Sequence, residues 1–289
     1  MAQLLVIADR EVNDPTAIKR AAHLAEQMGD SLHIVTFAHE SLSDLDDLVT
    51  EDVVNTLMKS VLEQREAAAK DHLAKIKVKA RVTAIWEKDV ASWVTEHARS
   101  KKYRCVVKTG ANTSTLFYTS TDWRLMRECP IPVMILAKKK WKKRNRILAT
   151  VDLSSKSTVQ KALNERVVSQ ALEMAANMGG SVHVCNVVPV PKVLMDLDLV
   201  DSRSVKKKAK AKAKVAMEAL LNDRVDKRHY HLELGEPHRK IPSLANKLKA
   251  DMVVMGSLGR KGAKGRLLGN TAEKTLNKLY TDIFTLRPE

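Results

Sequence analysis

Apolar residues recur along this chain in two alternating patterns. Runs such as Ile147–Val151 and Asp251–Met255 are almost continuously apolar, whereas Gln160–Met178 repeats apolar positions at Leu163, Val167, Ala171, Leu172, Met174 and Ala175. The first pattern predicts buried strands and the second an amphipathic helix. Read through the second half of the chain, the patterns predict a strand at Ile147–Val151, then a helix over Gln160–Met178 ended by Gly179-Gly180. A strand at Ser181–Val188, a long helix over Leu197–Asp226 and an alternating strand at Tyr230–Leu234 follow. Pro237 suits the first turn of the next helix, whose one face carries Ile241, Leu244, Ala245 and Leu248. The strand Asp251–Met255, a helix over Thr271–Leu279 and a last strand at Asp282–Leu286 complete the set. Strands alternating with helices at these lengths predict a parallel sheet covered on both faces. That is the doubly wound α/β class, whose ligands sit beyond the carboxyl ends of the strands.

The pattern occurs twice. MGDSLHIV (Met28 to Val35) returns 150 residues later as MGGSVHVC (Met178 to Cys185), and LAEQ before it returns as MAAN. STDWRLMRECPIPVMIL (Ser120 to Leu136) returns at the same offset as NTAEKTLNKLYTDIFTL (Asn270 to Leu286). LLVIADREV matches RILATVDLS, with Asp9 opposite Asp152. A repeat of this length predicts two domains rather than a solenoid, whose periods run about 20–50 residues. The divisions are 1–138 for the first domain, a basic linker at 139–145 within KKKWKKRNR, and 146–289 for the second. Pro130 and Pro132 suit the start of an edge strand.

Length and composition agree: 289 residues suit two ordinary domains, and 44% hydrophobic with 29% charged residues suits a globular protein. Cys105, Cys129 and Cys185 have neither metal-like nor disulfide-like spacing, which points to reduced thiols in a cytoplasm. No apolar run approaches the roughly 18 residues of a membrane span, and MAQLLVIADREV does not read as a signal peptide. The net charge of +16 favours anionic partners, from nucleotides to RNA and acidic proteins. Aromatic residues make up only 4%, so platforms for stacking single-stranded bases are scarce.

Chemistry concentrates in one loop. GSLGRKGAKGRLLGNTAEKTL (Gly256 to Leu276) holds five of the ten glycines, between a predicted strand and a predicted helix. Glycine at the strand end allows positive φ and close approach to a ligand. Amides at the start of a helix favour phosphate, and Arg260, Lys261, Lys264 and Arg266 add positive charge. Asp152, at the end of the first strand of this copy, lies on the same rim and can accept from ribose hydroxyls or an adenine amino group. The loop is neither a Walker loop nor a G-x-G-x-x-G turn. A solvated basic surface loop is the competing reading.

The spacing Gly256-x2-Gly259-x9-Gly269 after a fourth strand, with LLGNTAEKTL in the second copy and TDWRLMRECPIPV in the first, resembles the universal stress protein family, in its tandem E-type form. The resemblance covers nearly the whole chain. It implies two universal-stress-protein domains, each a five-stranded parallel, doubly wound, adenine-nucleotide α-hydrolase-like sheet with helices on both faces, the last strands pairing between domains. It implies a cytoplasmic stress-response role and, as in many members, ATP with magnesium bound in such a site. Carried onto this chain, the site would comprise Asp152, Gly256, Ser257, Gly259, Arg260, Gly269, Asn270 and Thr271, with Val187 as a weaker base contact. Asn270 stands where family nucleotide binders usually carry Ser or Thr; its amide can donate but it lacks the hydroxyl. In the first copy Thr109 stands opposite Gly256 and the loop is three residues shorter. That copy is therefore expected to have lost the cradle. A homodimer of tandem chains is a further expectation.

Other candidates carry less. No nucleophile elbow, His-Glu-x-x-His or Cys-x-x-Cys occurs, so the expected role is non-catalytic, with slow ATP hydrolysis at most and Asp152 orienting the water. His229, His231 and His238 are a candidate zinc set. Without a cysteine or further ligand at metal spacing they read as histidines on an exposed strand face. His33 and His183 occupy matching strand positions and read as structural. The run SVKKKAKAKAKVAMEAL (Ser204 to Leu220) reads as a solvated amphipathic helix, or as a contact for RNA, lipid or an acidic partner.

Overall fold

The computed structural model describes residues 2–9, 15–40, 50–100, 103–110, 120–137, 145–188, 202–257, 260–262, 265–267 and 270–288. They fall into two compact units, the first ending with the chain's fifth strand and the second beginning with its sixth.

In the first unit the elements run β1 (Gln3–Ile7), α1 (Thr16–Met28), β2 (Ser31–Ala38), α2 (Glu51–Lys75), β3 (Arg81–Trp86), α3 (Val90–Ser100), β4 (Cys105–Thr109), α4 (Ser120–Glu128) and β5 (Val133–Leu136). The strands lie side by side in the order β3-β2-β1-β4-β5, all parallel. The second unit repeats the plan with β6 (Arg146–Val151), α5 (Thr158–Met178), β7 (Ser181–Val188), α6 (Ser202–Leu221), β8 (Tyr230–Leu234), α7 (Pro237–Leu248) and β9 (Met252–Gly256). A short hairpin of β10 (Arg260–Gly262) and β11 (Gly265–Leu267) precedes α8 (Asn270–Leu276) and β12 (Asp282–Leu286). Here the order is β12-β9-β6-β7-β8, again all parallel.

The inner strands are apolar on both faces because helices cover both. Leu4 to Ile7 in β1 and Ile147 to Ala149 in β6 are buried, as are Val253 and Val254 in β9. Leu163, Val167 and Ala171 of α5 close over the second sheet, and Ala21, Leu24 and Ala25 of α1 over the first. The helix ends repeat as well. Gly29 (φ +65°) and Gly179 (φ +61°) adopt the left-handed conformation. The next amides, of Asp30 and Gly180, donate to the Ala25 and Ala175 carbonyls at 2.9 and 2.8 Å. A side chain at either glycine would strain this stop, which turns the chain back into the sheet.

Several ends shift by one or two residues, as in α5, which begins at Thr158 rather than Gln160, and three differences are larger. Helix α6 stops at Leu221 rather than Asp226, because Asn222 (φ 43°) and Asp223 (φ 58°) turn left-handed. Short polar side chains tolerate that conformation. Helix α8 stops at Leu276, where Lys278 and Leu279 amides bond three residues back to Thr275 and Leu276, tightening the last turn. The glycine-rich loop contains the β10–β11 hairpin, with Arg260 opposite Leu267 and Gly262 opposite Gly265. The expected start of α6 at Leu197 and the basic linker lie outside the described residues.

Candidate functional site

Strands β6, β7 and β9 end on one rim of the second sheet. Val151 is in register with Asn186, and Thr150 with Met255, so Asp152, Val187 and Gly256-Ser257 lie side by side at that rim. The Asp152 side chain is exposed. Its Oδ1 accepts from the Ser154 amide at 2.9 Å and the Ser154 hydroxyl at 2.6 Å. Two buried asparagines hold its backbone and that of the next residue. Asn164 of α5 donates through Nδ2 to the Asp152 carbonyl at 2.7 Å and accepts from its amide at 3.1 Å. Gln160 Nε2 donates to the same Asn164 oxygen at 2.8 Å, and Asn186 accepts from the Leu153 amide at 3.2 Å. Asn164, Asn186 and Gln160 were not among the sequence candidates. Their signal was present: Asn164 interrupts an otherwise apolar helix face between Leu163 and Val167.

Gly256 and Ser257 stand differently from the expected bare, left-handed turn. Gly256 does not have positive φ among the described glycines; it is the last residue of β9, paired with Leu286. A Cβ on it would lie 2.6 Å from Leu163 Cδ2. The pressure of α5 on the strand end is itself a reason for glycine here. Ser257 is buried, and its amide donates to the Leu286 carbonyl at 2.7 Å. That amide is committed to the backbone and is not bare for a phosphate. Val187 is buried and in register with Glu233. Arg260 lies in β10, and Asn270 and Thr271 open α8. Gly259 and Gly269 lie outside the described residues.

The first unit handles the corresponding place differently. Asp9, opposite Asp152, accepts from the Ala17 amide in the first turn of α1 at 3.0 Å. Thr109, opposite Gly256, is buried in β4. Lys108 beside it reaches Asp122 in the first turn of α4, with Nζ 2.9 Å from Oδ1, and also donates to the Thr109 carbonyl at 2.8 Å. The Asp122 side chain has no exposed surface and that of Lys108 is 19% exposed. A carboxylate in the first helical turn, paired with a lysine from the strand end, supplies from within the anion that such a place would otherwise draw from solution. In the second unit the corresponding residues are Met255 and Ala272, both buried and uncharged.

The histidines are not adventitious surface residues. His183 Nδ1 lies 3.0 Å from His231 Nε2, and the His229 ring centroid is 4.1 Å from that of His183. His229 belongs to a 3₁₀ turn capped by Asp226, not to β8. Burial, with the neighbouring imidazoles and Arg146, pushes His183 down to about 4. His238 stands by Glu236, 3.6 Å away. Among the described residues no group of three or more His, Cys, Asp or Glu is arranged to hold a metal ion. His33 bonds to the Tyr103 hydroxyl at 2.7 Å and to Thr83 Oγ1 at 2.9 Å. The three cysteines are buried, and burial pushes the Cys105 and Cys185 thiols up to about 12.

The universal stress protein family model matches residues 1–137 and again 143–284. The chain belongs to the universal stress protein family. Universal stress protein E homolog of Haemophilus influenzae is 27% identical, over 99% of this chain and 97% of its own length. Universal stress protein E of Escherichia coli K12 is likewise 27% identical, over 99% of this chain and 94% of its own. A functionally unknown protein of Pseudomonas aeruginosa PAO1 shares the fold with a TM-score of 0.74 at 21% identity, over 100% of this chain and 93% of its own. A universal stress protein from Archaeoglobus fulgidus follows with a TM-score of 0.62 at 18% identity, over 99% and 98% of the two chains. No described helix of this universal stress protein is long and apolar enough to cross a membrane.

Proposed function

We propose that this universal stress protein is a non-catalytic sensor or adaptor of the cytoplasmic stress response, and that its second unit binds a nucleotide, ATP with magnesium, or another phosphate-bearing ligand. The observation that carries the reading is the difference between the two units. At the strand ends of the first, Asp9 is used to hold α1 and Asp122 closes the helix terminus with Lys108. At those of the second, Asp152 keeps an exposed carboxylate on a clamped backbone, and no internal ion pair replaces Met255 and Ala272. Asp152 would accept from ribose hydroxyls or an exocyclic amine. Because the Ser257 amide is already bonded, the charge of a phosphate would be met mainly by the basic residues of the loop, Arg260, Lys261, Lys264 and Arg266. Asn270 and Thr271 would contact the ligand from the start of α8.

Calorimetry of the full chain with ATP and magnesium tests the proposal. One ligand per chain, lost in Asp152→Ala and Gly259→Val, is the expected result. Two equal sites, or affinity unaffected by either substitution, would refute it.

A further inference from the structure

The net charge of the chain is not shared between its halves. Residues 1–138 hold 19 basic and 19 acidic residues, whereas residues 139–289 hold 31 basic and 15 acidic, so the second half carries the whole +16. Part of that excess lies on one helix. Lys207, Lys208, Lys210, Lys212 and Lys214 of α6 are exposed, and Lys206 is half-buried. No acidic residue occurs between Ser204 and Met217.

The equivalent helix of the first unit shows what a merely solvated face looks like in this fold. On α2, Lys59, Lys70 and Lys75 stand 4.0, 2.6 and 2.6 Å from Glu63, Glu66 and Asp71, each one turn away. Such pairs balance the charge and support the helix. On α6, Lys206, Lys207, Lys208, Lys210 and Lys212 have no acidic residue one turn away in either direction, and only Lys214 has one, Glu218. Like charges this close repel one another, a cost that an external polyanion removes.

Spacing and shape narrow the partner. Five exposed lysines between Lys207 and Lys214 spread over the outer half of the helix along about 10 Å of its axis, on average one charge per roughly 2 Å. Duplex nucleic acid presents one phosphate charge per about 1.7 Å of its axis. A bilayer surface would ask the helix to insert an apolar face. Ala213, Met217 and Leu221 of that face are buried in the unit's own core, and the exposed Val205 and Val215 are too few to form an inserting face. Single-stranded nucleic acid would ask for stacking aromatics, and between Ser204 and Leu221 there are none.

We infer that the exposed lysine face of α6 is a docking surface for duplex nucleic acid, held through its phosphates without reading the bases. The inference needs no nucleotide at the strand-end site.

Fluorescence anisotropy of the full chain with a labelled random-sequence duplex of about 20 base pairs, titrated with salt, tests the inference. Replacing Lys207, Lys208, Lys212 and Lys214 by Gln should weaken binding at least tenfold at about 0.1 M salt. It should also make the slope of log affinity against log salt shallower by about 2–4, since each phosphate contact contributes about 0.9. Replacing Lys59, Lys70 and Lys75 by Gln should leave both unchanged, with circular dichroism showing each variant folded. An unchanged slope in the α6 variant would overturn the inference. So would an equal loss in the α2 variant, or tighter binding to anionic phosphatidylserine vesicles or to a single strand than to the duplex.

Discussion

Lys108 Nζ lies 2.9 Å from a carboxylate oxygen of Asp122, and the Asp122 side chain is wholly buried. Strand β4 and helix α4 of the first unit thus meet through an ion pair, where β9 and α8 of the second place Met255 and Ala272. The same architecture therefore carries two electrostatic solutions at equivalent places.

Removing one member of a buried pair leaves the other charged and unsolvated. Lys108→Met should lower stability by about 3–5 kcal/mol. Lys108→Met combined with Asp122→Ala installs the second unit's own residues and should recover most of that loss, since replacing both partners by apolar groups is often nearly neutral. Urea midpoints of the single and double variants measure this. A double variant as unstable as the single one would show that the pair is not the reason for the loss.

Gly256 and Leu163 make a second prediction. With 2.6 Å between an added Cβ and Leu163 Cδ2, and with Leu163 itself buried, Gly256→Ala should cost about 1–3 kcal/mol through overpacking. Leu163→Ala alone should cost about 2–5 kcal/mol. Because the two side chains contend for one space, the double variant should cost less than the sum. Additive losses would mean that Gly256 is required for a reason other than the press of α5.

These positions mark where the sequence was and was not readable. The strand Asp282–Leu286 appears at its expected residues because a mostly apolar run reports burial directly, and Tyr230–Leu234 because its alternation reports a half-buried strand. Gly179 was legible as a helix stop because the left-handed conformation favours glycine. The packing demand for glycine at 256 is not legible locally, because the contact comes from Leu163, 93 residues earlier in the chain. The end of α6 was missed because Leu221 and Val225 continue a helical spacing, while Asn222 and Asp223 between them end it. Lys108 and Asp122 share no periodicity, so nothing local joins them. Asn164 could have been found, as a polar residue at a position where the helical period demands an apolar one.

His183 predicts a pH response. Burial, His229, His231 and Arg146 push its pKa down to about 4 from the usual 6.5, and burial pushes His231 down as well, opposed in part by Glu233. Between about pH 4 and 6.5 the unfolded chain therefore binds protons that the folded chain refuses. Stability from this cluster is fully present above about 6.5 and is lost as pH falls towards 4. The geometry agrees, because a neutral pair lets one ring nitrogen donate and the other accept across 3.0 Å, whereas full protonation of both rings leaves two donors facing. Urea midpoints measured between pH 8 and pH 5 should fall more steeply for the native chain than for His183→Gln. Parallel profiles would remove the cluster from any account of acid sensitivity.

Asn164 joins stability to the proposed ligand site. It satisfies both the amide and the carbonyl of Asp152 from inside α5, and is itself buried. Asn164→Ala leaves two backbone groups unpaired and should cost about 1–3 kcal/mol. It also releases the strand end that aims the Asp152 carboxylate outward, so affinity for ATP with magnesium should fall about tenfold, equivalent to about 1.4 kcal/mol. Asp152→Ala removes an exposed side chain and its two solvent-exposed bonds from Ser154 and should change stability by no more than about 1 kcal/mol, while producing at least as large a loss of affinity. Calorimetry paired with urea unfolding separates the two effects. If Asn164→Ala weakens the fold and leaves affinity intact, the clamp serves the sheet alone, and the orientation of Asp152 has no part in holding a ligand.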